Sequence, residues 1–427
     1  MNVAVIGGGY AGMAAAVTLA EQDVPVTVYE AGRVPGGRAR RLEREATTLD
    51  NGLHILIGAY AETLRLMKRV GADPDRLLMR LPFAWNVHER FSLKAAAALP
   101  APLNLVAGLA TAKGISLRER FSVARFLLAM RRAGYRLPDD MSVSCLLDRE
   151  QQCAASMRFL WKPLCVSALN TRPEEASAQV FLNVLRDSLD AGGRVSDLLL
   201  PRVDLSALFP TPAAAWISTR GGAVLTGQRV AALDAASGEY AVQHAGGTTL
   251  HTHVICAVAP HQVKALLARI PALDEVVQSI DRFAYRPIYS IYLQYPSNVR
   301  LPSPMLGFDS ALLQWAFDRG ALCGQNGLIG VVISAQGMHQ EHAHEELSRL
   351  VHQELQQQLG VLPDPQWFQV IAEKRATFAC VPGLQRPENR TPLRNFLLAG
   401  DYTASDYPAT IEAAVRSGIA AARLVAR

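Results

Sequence analysis

Three glycines near the start of the sequence have the spacing that holds a dinucleotide. Gly7, Gly9 and Gly12 form a GxGxxG pattern directly after an apolar run, with Tyr10 and Ala11 between the last two glycines. In this pattern the glycines provide a tight turn, a close approach of backbone to a pyrophosphate, and close packing of the next helix on the sheet. The N–H groups at the start of that helix then face the phosphates.

An acidic residue downstream narrows the choice of nucleotide. Glu30 ends the next apolar run, where a carboxylate accepts hydrogen bonds from ribose hydroxyls. The same negative charge repels a 2′-phosphate, so the pattern disfavours NADP and leaves NAD and FAD. Residues 2–6, 11–20 and 25–29 must supply the strand, helix and second strand that position these groups.

The residues after Glu30 favour FAD through a family resemblance. The segment EAGRVPGGRAR resembles the EAxxxxGGR continuation of the amine oxidase and carotenoid desaturase superfamily of flavoproteins. The resemblance implies that Ala31, Gly36 and Gly37 lie close to FAD and that Arg38 places a guanidinium near the pyrophosphate or flavin. A planar guanidinium suits this role because it can bind a diphosphate through two parallel hydrogen bonds.

Two further segments resemble elements of the same superfamily that surround the flavin and adenine. The sequence DNGLH at 50–54 is similar to the stretch that passes along the isoalloxazine ring, which implies contacts from Gly52, Leu53 and His54. Gly221 to Pro260 resembles the internal strands of the FAD domain, with the backbone of Val230 beside adenine.

A distant segment resembles the superfamily's second FAD anchor. Residues 396–418 read as a strand, a glycine turn with an acid, and a helix, similar to the GDxT…EGAxxSG motif. The resemblance implies FAD contacts from Gly400, Asp401, Thr410 and Ile411, although alanine stands at position 413, where the family often has glycine. Because three separated segments agree, we expect FAD as the cofactor, and we expect no metal.

These anchors predict an α/β (α+β) fold with a discontinuous FAD-binding domain. The domain is of the Rossmann type found in glutathione reductase and amine oxidase, and is assigned to residues 1–80, 205–260 and 390–427. Residues 81–204 and 261–389 are assigned to an inserted substrate domain with a mixed sheet and a helical part.

Periodicity predicts several elements of the substrate domain. Helices are expected over 117–132, 150–161 and 174–190, and strands over 287–295 and 327–334. Leu347, Val351, Leu355 and Leu359 recur at four-residue spacing before Gly360, which predicts a helix with one buried side that ends at that glycine.

The middle of the sequence resembles a narrower group. FLWKPLCVSALNTRPEEASA at 159–178 and VFLNVLR at 180–186 are similar to the bacterial squalene-associated FAD-dependent desaturases, the hydroxysqualene dehydroxylases of hopanoid biosynthesis. This resemblance covers essentially the whole chain and implies reduction of hydroxysqualene to squalene by flavin hydride. It also implies a long-chain isoprenoid substrate and upstream prenyl synthases as partners.

The implied reaction needs a proton for the departing hydroxyl. That hydroxyl is allylic, so its loss leaves a delocalised cation, and a general acid would protonate the leaving oxygen. His54 is the predicted acid because of its place beside the flavin, while the alternative that it only fixes local backbone stays open. Four tyrosines are candidates for lining the substrate cavity: Tyr285, Tyr289, Tyr292 and Tyr402.

Three other functions stay open from the sequence. A carotenoid-type desaturase would use the same geometry to remove hydride from an isoprenoid. An amine oxidase is disfavoured because no aromatic cage for a polar amine is identifiable. A lipid-binding partner of prenyl synthases, without turnover of its own, would bind squalene-like lipids and leave the flavin spectrum unchanged.

Charge and cysteine patterns suggest where the protein works. Residues 81–136 hold nine Lys or Arg against two acids, a net charge of +7 within a total of +5. This basic segment beside apolar stretches favours peripheral membrane contact over nucleic acid, for which no motif is found. Scattered cysteines and the absence of a signal-like leader predict a cytoplasmic protein, peripheral at the inner face of the membrane. His339, His342 and His344 are expected on a solvated face rather than in a metal site.

Overall fold

The computed structural model describes residues 1–96, 99, 103–189, 194–236 and 238–425. The α-helices are α1 Tyr10–Ala20, α2 Ala61–Arg69, α3 Pro74–Leu77, α4 Leu103–Ala110, α5 Leu117–Arg132, α6 Val143–Arg149, α7 Ala154–Ser156, α8 Lys162–Leu169, α9 Ala178–Leu189, α10 Leu205–Leu208, α11 Pro210–Ser218, α12 Pro260–Leu267, α13 Asp274–Asp281, α14 Arg319–Cys323, α15 His344–Leu359 and α16 Ile411–Val425. No helix in these ranges is long and apolar enough to cross a membrane.

The strands are distributed over five sheets. They are β1 Val3–Ile6, β2 Val26–Tyr29, β3 Arg41–Arg44, β4 Thr47–Asp50, β5 Leu56–Ile57, β6 Leu78–Leu81, β7 Ala84–Val87, β8 Phe91–Lys94, β9 Leu198–Pro201, β10 Ala223–Leu225, β11 Val230–Ala236, β12 Glu239–His244, β13 Gly247–His251, β14 His253–Cys256, β15 Tyr285–Gln294, β16 Met305–Gly307, β17 Trp315–Asp318, β18 Leu328–Ser334, β19 Trp367–Phe378 and β20 Phe396–Leu398.

A parallel sheet of the Rossmann type confirms the predicted α/β fold. Its order is β10-β2-β1-β14-β20, and every neighbouring pair runs parallel. β1 and β20 are buried along their whole length, which requires the apolar sequences VAVI and FLL because strands of a parallel sheet are covered on both faces. The strands come from three widely separated parts of the chain, so one sheet joins the three FAD-like segments.

Helix α1 lies against this sheet and is buried over all eleven residues. It also packs on α11 and α16, so no side of it meets solvent. A Cβ on Gly12 would lie 1.9 Å from the carbonyl oxygen of Gly7, and one on Gly418 would lie 2.1 Å from that of Ala11. Both distances are far shorter than any tolerated contact, so the close packing of α1 depends on glycine at these two positions.

A seven-stranded mixed sheet forms the second layer, in the order β19-β15-β18-β17-β16-β7-β8. β15 and β18 pair antiparallel, and their bounds confirm the strands expected at 287–295 and 327–334 to within two residues. Helix α15 covers one face of the sheet with Leu347, Val351 and Leu355 buried. It ends at Leu359, before Gly360, as the leucine spacing predicts.

Helix α5 confirms its predicted bounds because both ends carry clear signals. The Ser116 side chain accepts from the N–H of Glu119, and the Glu119 carboxylate accepts from the N–H of Ser116, which is a capping box. Arg131 and Arg132 complete the last turn, where positive charge suits the helix dipole.

The other two predicted helices begin later than expected. The helix expected over 150–161 begins at Ala154, because Gln151 has a left-handed backbone with φ of 53°. It then passes through a π-helical segment at Met157–Trp161 into α8. The helix expected over 174–190 begins at Ala178, since the residues before it form a turn and the Ser177 side chain then caps the helix by accepting from the N–H of Val180. Its expected last residue, 190, lies outside the described residues.

The three clustered histidines do not share one solvated face, so that prediction is wrong for His339. His339 is buried in a 3-10 turn, and its ring meets Tyr289 edge-on with centroids 4.8 Å apart. His342 pairs with Glu346, and His344 is exposed at the start of α15. Among the described residues, no group of three or more His, Cys, Asp or Glu side chains could hold a metal ion.

Candidate active site

The GxGxxG turn connects β1 to α1 and leads into the first N–H groups of the helix. Gly7 has a φ of 109°, and a Cβ there would lie 2.6 Å from the carbonyl oxygen of Ala257. Gly9 is the N-cap of α1, and no side chain caps the helix. The N–H groups of Tyr10 and Ala11 therefore remain available to an anion at the positive end of the helix dipole. The Tyr10 side chain points into the core, where its hydroxyl donates to the carbonyl of Leu205.

A second glycine pair stands against this turn. Gly36 donates its N–H to the carbonyl of Gly8 at 2.8 Å, and Gly9 and Gly36 form an isolated parallel bridge. A Cβ on Gly9 would meet nothing closer than the Cα of Gly37 at 3.8 Å. Packing within the protein therefore leaves room for a side chain at Gly9. The turn fits a pyrophosphate.

Glu30 is fixed at the edge of this turn by two backbone donors. Its Oε2 accepts from the N–H of Gly8 at 2.7 Å and its Oε1 from the N–H of Gly32 at 2.6 Å. A carboxylate has about four acceptor positions, so two remain for ribose hydroxyls. Ala31 is exposed beside it. The N–H of Gln228 donates to the carbonyl of Glu30, which brings the start of β11 at Val230 close to the same edge.

Arg38 and Asp401 form an ion pair although they lie 363 residues apart in sequence. The guanidinium donates from Nη2 to Oδ1 of Asp401 at 2.6 Å and from Nη1 to the carbonyl of Ala376 at 2.6 Å. Burial opposes the charge on Arg38, but the Asp401 carboxylate outweighs it and the pKa of Arg38 is raised. The pair joins the EAGRVPGGRAR segment to the C-terminal FAD-like segment, and Ala376 ties both to the large mixed sheet.

The C-terminal motif places a buried hydroxyl beside this pair. A Cβ on Gly400 would lie 2.4 Å from the Tyr402 ring, so the turn requires glycine there. Tyr402 is fully buried, and its hydroxyl has no hydrogen-bond partner among the described residues. Thr410 caps α16 by accepting from the N–H of Ala413 at 3.1 Å, and Ile411 is buried in the first turn. Within the described ranges, Tyr402 has an unpaired buried hydroxyl near Arg38, and the start of α1 has no side-chain cap. Both features fit a polar cofactor.

Glu412 has a role that the sequence does not reveal. Its carboxylate is buried and accepts from the N–H groups of Glu62 and Thr63 and from the Thr63 hydroxyl, at 3.1, 2.9 and 2.7 Å. It therefore caps α2 and connects α16 to the segment that follows the DNGLH sequence. Its partner Arg416 lies one turn further along α16.

His54 is held in one tautomer by the backbone. Its Nδ1 lies 2.8 Å from the carbonyl oxygen of Gly52, and because a carbonyl can only accept, Nδ1 carries the proton. Burial lowers the pKa of His54, and the charge of Arg38 lowers it further. The imidazole is therefore neutral near pH 7, with a free lone pair on Nε2.

A small cavity places His54 beside a buried ion pair. The cavity volume is about 10 Å³, room for one water molecule, and its lining includes His54, Asp50, Arg319, Leu53, Leu200, Pro201, Leu205, Phe317 and Leu322. Asp50 accepts from the N–H of Leu205 at 2.8 Å and from Nη1 of Arg319 at 3.2 Å. Burial raises the pKa of Asp50 to about 6 even though Arg319 opposes the shift.

The predicted tyrosines take different places. The Tyr292 hydroxyl donates to the carbonyl of Asp50 at 3.0 Å and is buried in the core beneath the site. Tyr289, three residues earlier on β15, packs against His339 with the cluster under α15, and its place in the substrate cavity stays a prediction. Alternation along a strand explains the difference, since odd and even positions face opposite sides. Tyr285 is half-buried, close enough to Arg38 for that charge to oppose the rise that burial causes in its pKa.

The fold and this site define an FAD-dependent oxidoreductase. The turn between β1 and α1 fits an ADP moiety, and the Arg38–Asp401 pair joins the two segments that follow β2 and β20. The family model described as "Flavin containing amine oxidoreductase" matches residues 10–426, and the chain belongs to that family.

Similar proteins share the full length of the chain. A hydroxysqualene dehydroxylase of Rhodopseudomonas palustris is 30% identical, over 99% of this chain and 98% of that protein. A zeta-carotene desaturase of Capsicum annuum is 24% identical, over 98% of this chain and 79% of that protein. Among solved structures, an oxidoreductase from Methanosarcina mazei superposes with a TM-score of 0.78 at 15% identity, over 98% of this chain and 99% of that one, which shows the shared fold.

Proposed function

We propose that this protein reduces hydroxysqualene to squalene. The observation that carries the proposal is similarity along the whole chain to proteins named hydroxysqualene dehydroxylase, at 30% identity for the Rhodopseudomonas palustris protein and 28% for that of Sinorhizobium fredii. Carotenoid desaturases match over the same length at lower identity, 24 to 25% for those of Capsicum annuum and Zea mays.

The proposed chemistry exchanges a hydroxyl for a hydride at an allylic carbon. The C–O bond breaks, the oxygen leaves with an added proton as water, and the resulting allylic cation accepts a hydride. FAD, when bound in its reduced form, supplies that hydride. The protein must bind the long apolar chain with this carbon at the flavin, exclude bulk water, and deliver one proton to the departing oxygen.

His54 and Asp50 together provide a route for that proton. His54 alone is a poor acid, because its Nε2 carries a lone pair and its pKa is lowered. Asp50 faces the same water-sized cavity and is the better proton source, since its carboxyl is half protonated near pH 6. We assign Asp50 as the proton reservoir, one water as the bridge, and His54 as the group that hands the proton to the leaving oxygen.

We also propose which residues contact FAD. They are Gly7, Gly9, Tyr10, Ala11, Gly12, Glu30, Ala31, Gly36, Gly37, Arg38, Gly52, Leu53, His54, Val230, Gly400, Asp401, Thr410 and Ile411. The backbone would serve at Tyr10, since its side chain bonds to Leu205. The FAD-binding domain would comprise residues 1–80, 205–260 and 390–427, and residues 81–204 and 261–389 would bind the isoprenoid.

The proposal also includes the subcellular location of the enzyme. Hydroxysqualene is a long-chain isoprenoid that partitions into lipid, so the enzyme would act in the cytoplasm at the inner face of the membrane. Upstream prenyl synthases would supply the substrate there.

An anaerobic experiment tests the reaction and its direction. The purified holoprotein is reduced with dithionite, hydroxysqualene is added in detergent, and the flavin spectrum and extracted lipids are followed together. Reoxidation of the flavin with formation of squalene supports the proposal. Reduction of the oxidised flavin by phytoene or squalene supports the desaturase instead, and a reduced flavin that ignores hydroxysqualene contradicts the proposal.

A further inference from the structure

Helix α5 has a face that no part of the described protein covers. Leu117 is 78% exposed, Phe121 72% and Leu128 47%. At about 100° per residue, these three side chains lie within about 40° of one another on the helix surface. The opposite side carries Val123, Phe126 and Met130, all buried in the core. The helix is therefore apolar on two sides, and the second apolar side faces solvent.

A strip of arginine runs beside this exposed apolar face. Arg118, Arg125 and Arg132 recur every seven residues and share one line along the helix, next to the exposed leucines and phenylalanine. All three are exposed. Exposed Lys113 adds another cation just before the helix.

The helix's only acid does not balance this charge. Within residues 103–136, Glu119 is the single carboxylate, and it is engaged by Ser116 and by the N–H of Ala155 at 3.2 Å. The neighbouring helix α4 adds an exposed valine, Val106 at 57%. On this face Arg125 also donates to the carbonyl oxygen of Glu150 at 3.0 Å, which leaves Arg118 and Arg132 as its two outer cations. Large exposed apolar side chains bordered by an excess of cations are unfavourable in water and complementary to anionic lipid headgroups over acyl chains.

We propose that the α5 face, made of Leu117, Phe121, Leu128, Arg118, Arg125 and Arg132, docks on an anionic lipid bilayer. The apolar side chains enter the headgroup boundary while the arginines contact lipid phosphates. A second copy of this chain is a poor occupant, because a symmetric contact would bring two arginine strips together. The inference rests on the proposed function and deepens it. A lipid substrate would reach the enzyme through the bilayer that this face contacts.

Vesicle binding tests the inference without any turnover. The full-length holoprotein is co-sedimented with vesicles of phosphatidylcholine alone or with about 30% phosphatidylglycerol. Wild type should bind the anionic vesicles strongly and the neutral ones weakly, and raising NaCl from about 0.1 M to about 0.5 M should weaken anionic binding.

Two variants separate the apolar and basic parts of the face. L117S/F121S/L128S should lower the partition coefficient roughly 100-fold, because three side chains no longer enter the lipid. R118Q/R132Q should lower binding to anionic vesicles about 30-fold and leave neutral binding unchanged.

Matched controls lie on distant surfaces. L250S/M338S/V361S removes three apolar side chains of 57%, 64% and 101% exposure, and R349Q/R394Q removes two exposed cations. Both controls should bind vesicles like wild type. Thermal midpoint and flavin content show whether each variant is folded.

Several results would overturn the docking proposal. Unchanged vesicle binding by folded L117S/F121S/L128S would do so, and so would equal binding of wild type to neutral and anionic vesicles. Sedimentation velocity tests whether a second copy of the chain binds this face instead. A wild-type dimer that the same substitutions dissociate, without vesicle binding, would assign the face to self-association. Failure of hydroxysqualene turnover in detergent bears on the proposed function alone, because vesicle binding is measured independently.

Discussion

Adding one methyl group at Gly9 should weaken FAD binding while leaving the fold intact. Gly9 has a φ of −72° and a ψ of 178°, which alanine adopts without strain. Its Cβ would meet no protein atom closer than 3.8 Å, so Gly9→Ala leaves the protein's own packing undisturbed, and the added methyl group would crowd the proposed position of the pyrophosphate. Overpacking of that kind costs about 1 to 3 kcal/mol, which raises the Kd for FAD about fivefold to 150-fold.

The stability of the apoprotein should change little in this variant. Alanine is a poorer N-cap than glycine, so Gly9→Ala should lower the free energy of unfolding by about 1 kcal/mol or less. Gly12→Ala is the matched contrast, because its Cβ would lie 1.9 Å from the carbonyl oxygen of Gly7 and the turn itself must shift. That variant should lose stability with or without FAD.

Calorimetric titration of deflavinated protein with FAD, together with urea unfolding of the apoprotein, measures both quantities. The reasoning is refuted if Gly9→Ala binds FAD as tightly as wild type, since the open space at Gly9 would then not belong to the pyrophosphate. It is equally refuted if Gly12→Ala unfolds at the same urea concentration as wild type.

Three further variants test the other parts of the site. His54→Gln should lower kcat about 100-fold or more while flavin content stays at one per chain, and equal kcat in rapid-mixing assays would remove His54 from proton transfer. The folded pKa of Asp50 is raised to about 6, so this carboxyl stabilises the fold below the unfolded pKa and the contribution is lost as pH rises through about 6. The variant D50N/R319Q removes both buried charges. In urea titrations, the free energy of unfolding of wild type minus that of this variant should therefore fall by roughly 3 kcal/mol between about pH 4 and pH 7. A difference that stays constant with pH would show that the pKa of Asp50 is not raised. Glu412→Gln weakens the acceptor of the N–H and hydroxyl of Thr63 and should lower the free energy of unfolding by about 1 to 3 kcal/mol; an unchanged thermal midpoint would argue against its capping role.

Local patterns predicted the elements whose signals are local. The GxGxxG turn, the periodicity of α5 and the leucine spacing of α15 each lie within a few turns of helix or strand. The starts of α9 and of the helix at Ala154 were missed because the N-cap at Ser177 and the left-handed backbone of Gln151 decide them, and helix propensity registers neither.

Contacts between residues far apart in sequence could not be predicted from the sequence and were found only in the structure. Family resemblance placed Arg38 and Asp401 beside the same cofactor, but their ion pair depends on β2 and β20, the strands that precede them, lying in one sheet. Asp50 and Arg319 were not paired from sequence, because Arg319 lies in no motif. A signal was present in the sequence WAFDR, in which a charged pair follows an apolar run, as often happens where a strand ends at a buried polar site.

The direction of hydride transfer is the central claim, and a single turnover measures it most directly. Enzyme containing fully reduced FAD is mixed without oxygen with a slight excess of hydroxysqualene, and flavin absorbance and lipid products are quantified over the same interval. The account predicts that each flavin oxidised yields one squalene and that no flavin is oxidised when squalene replaces hydroxysqualene. A flavin that stays reduced, or that is oxidised without forming squalene, would contradict it.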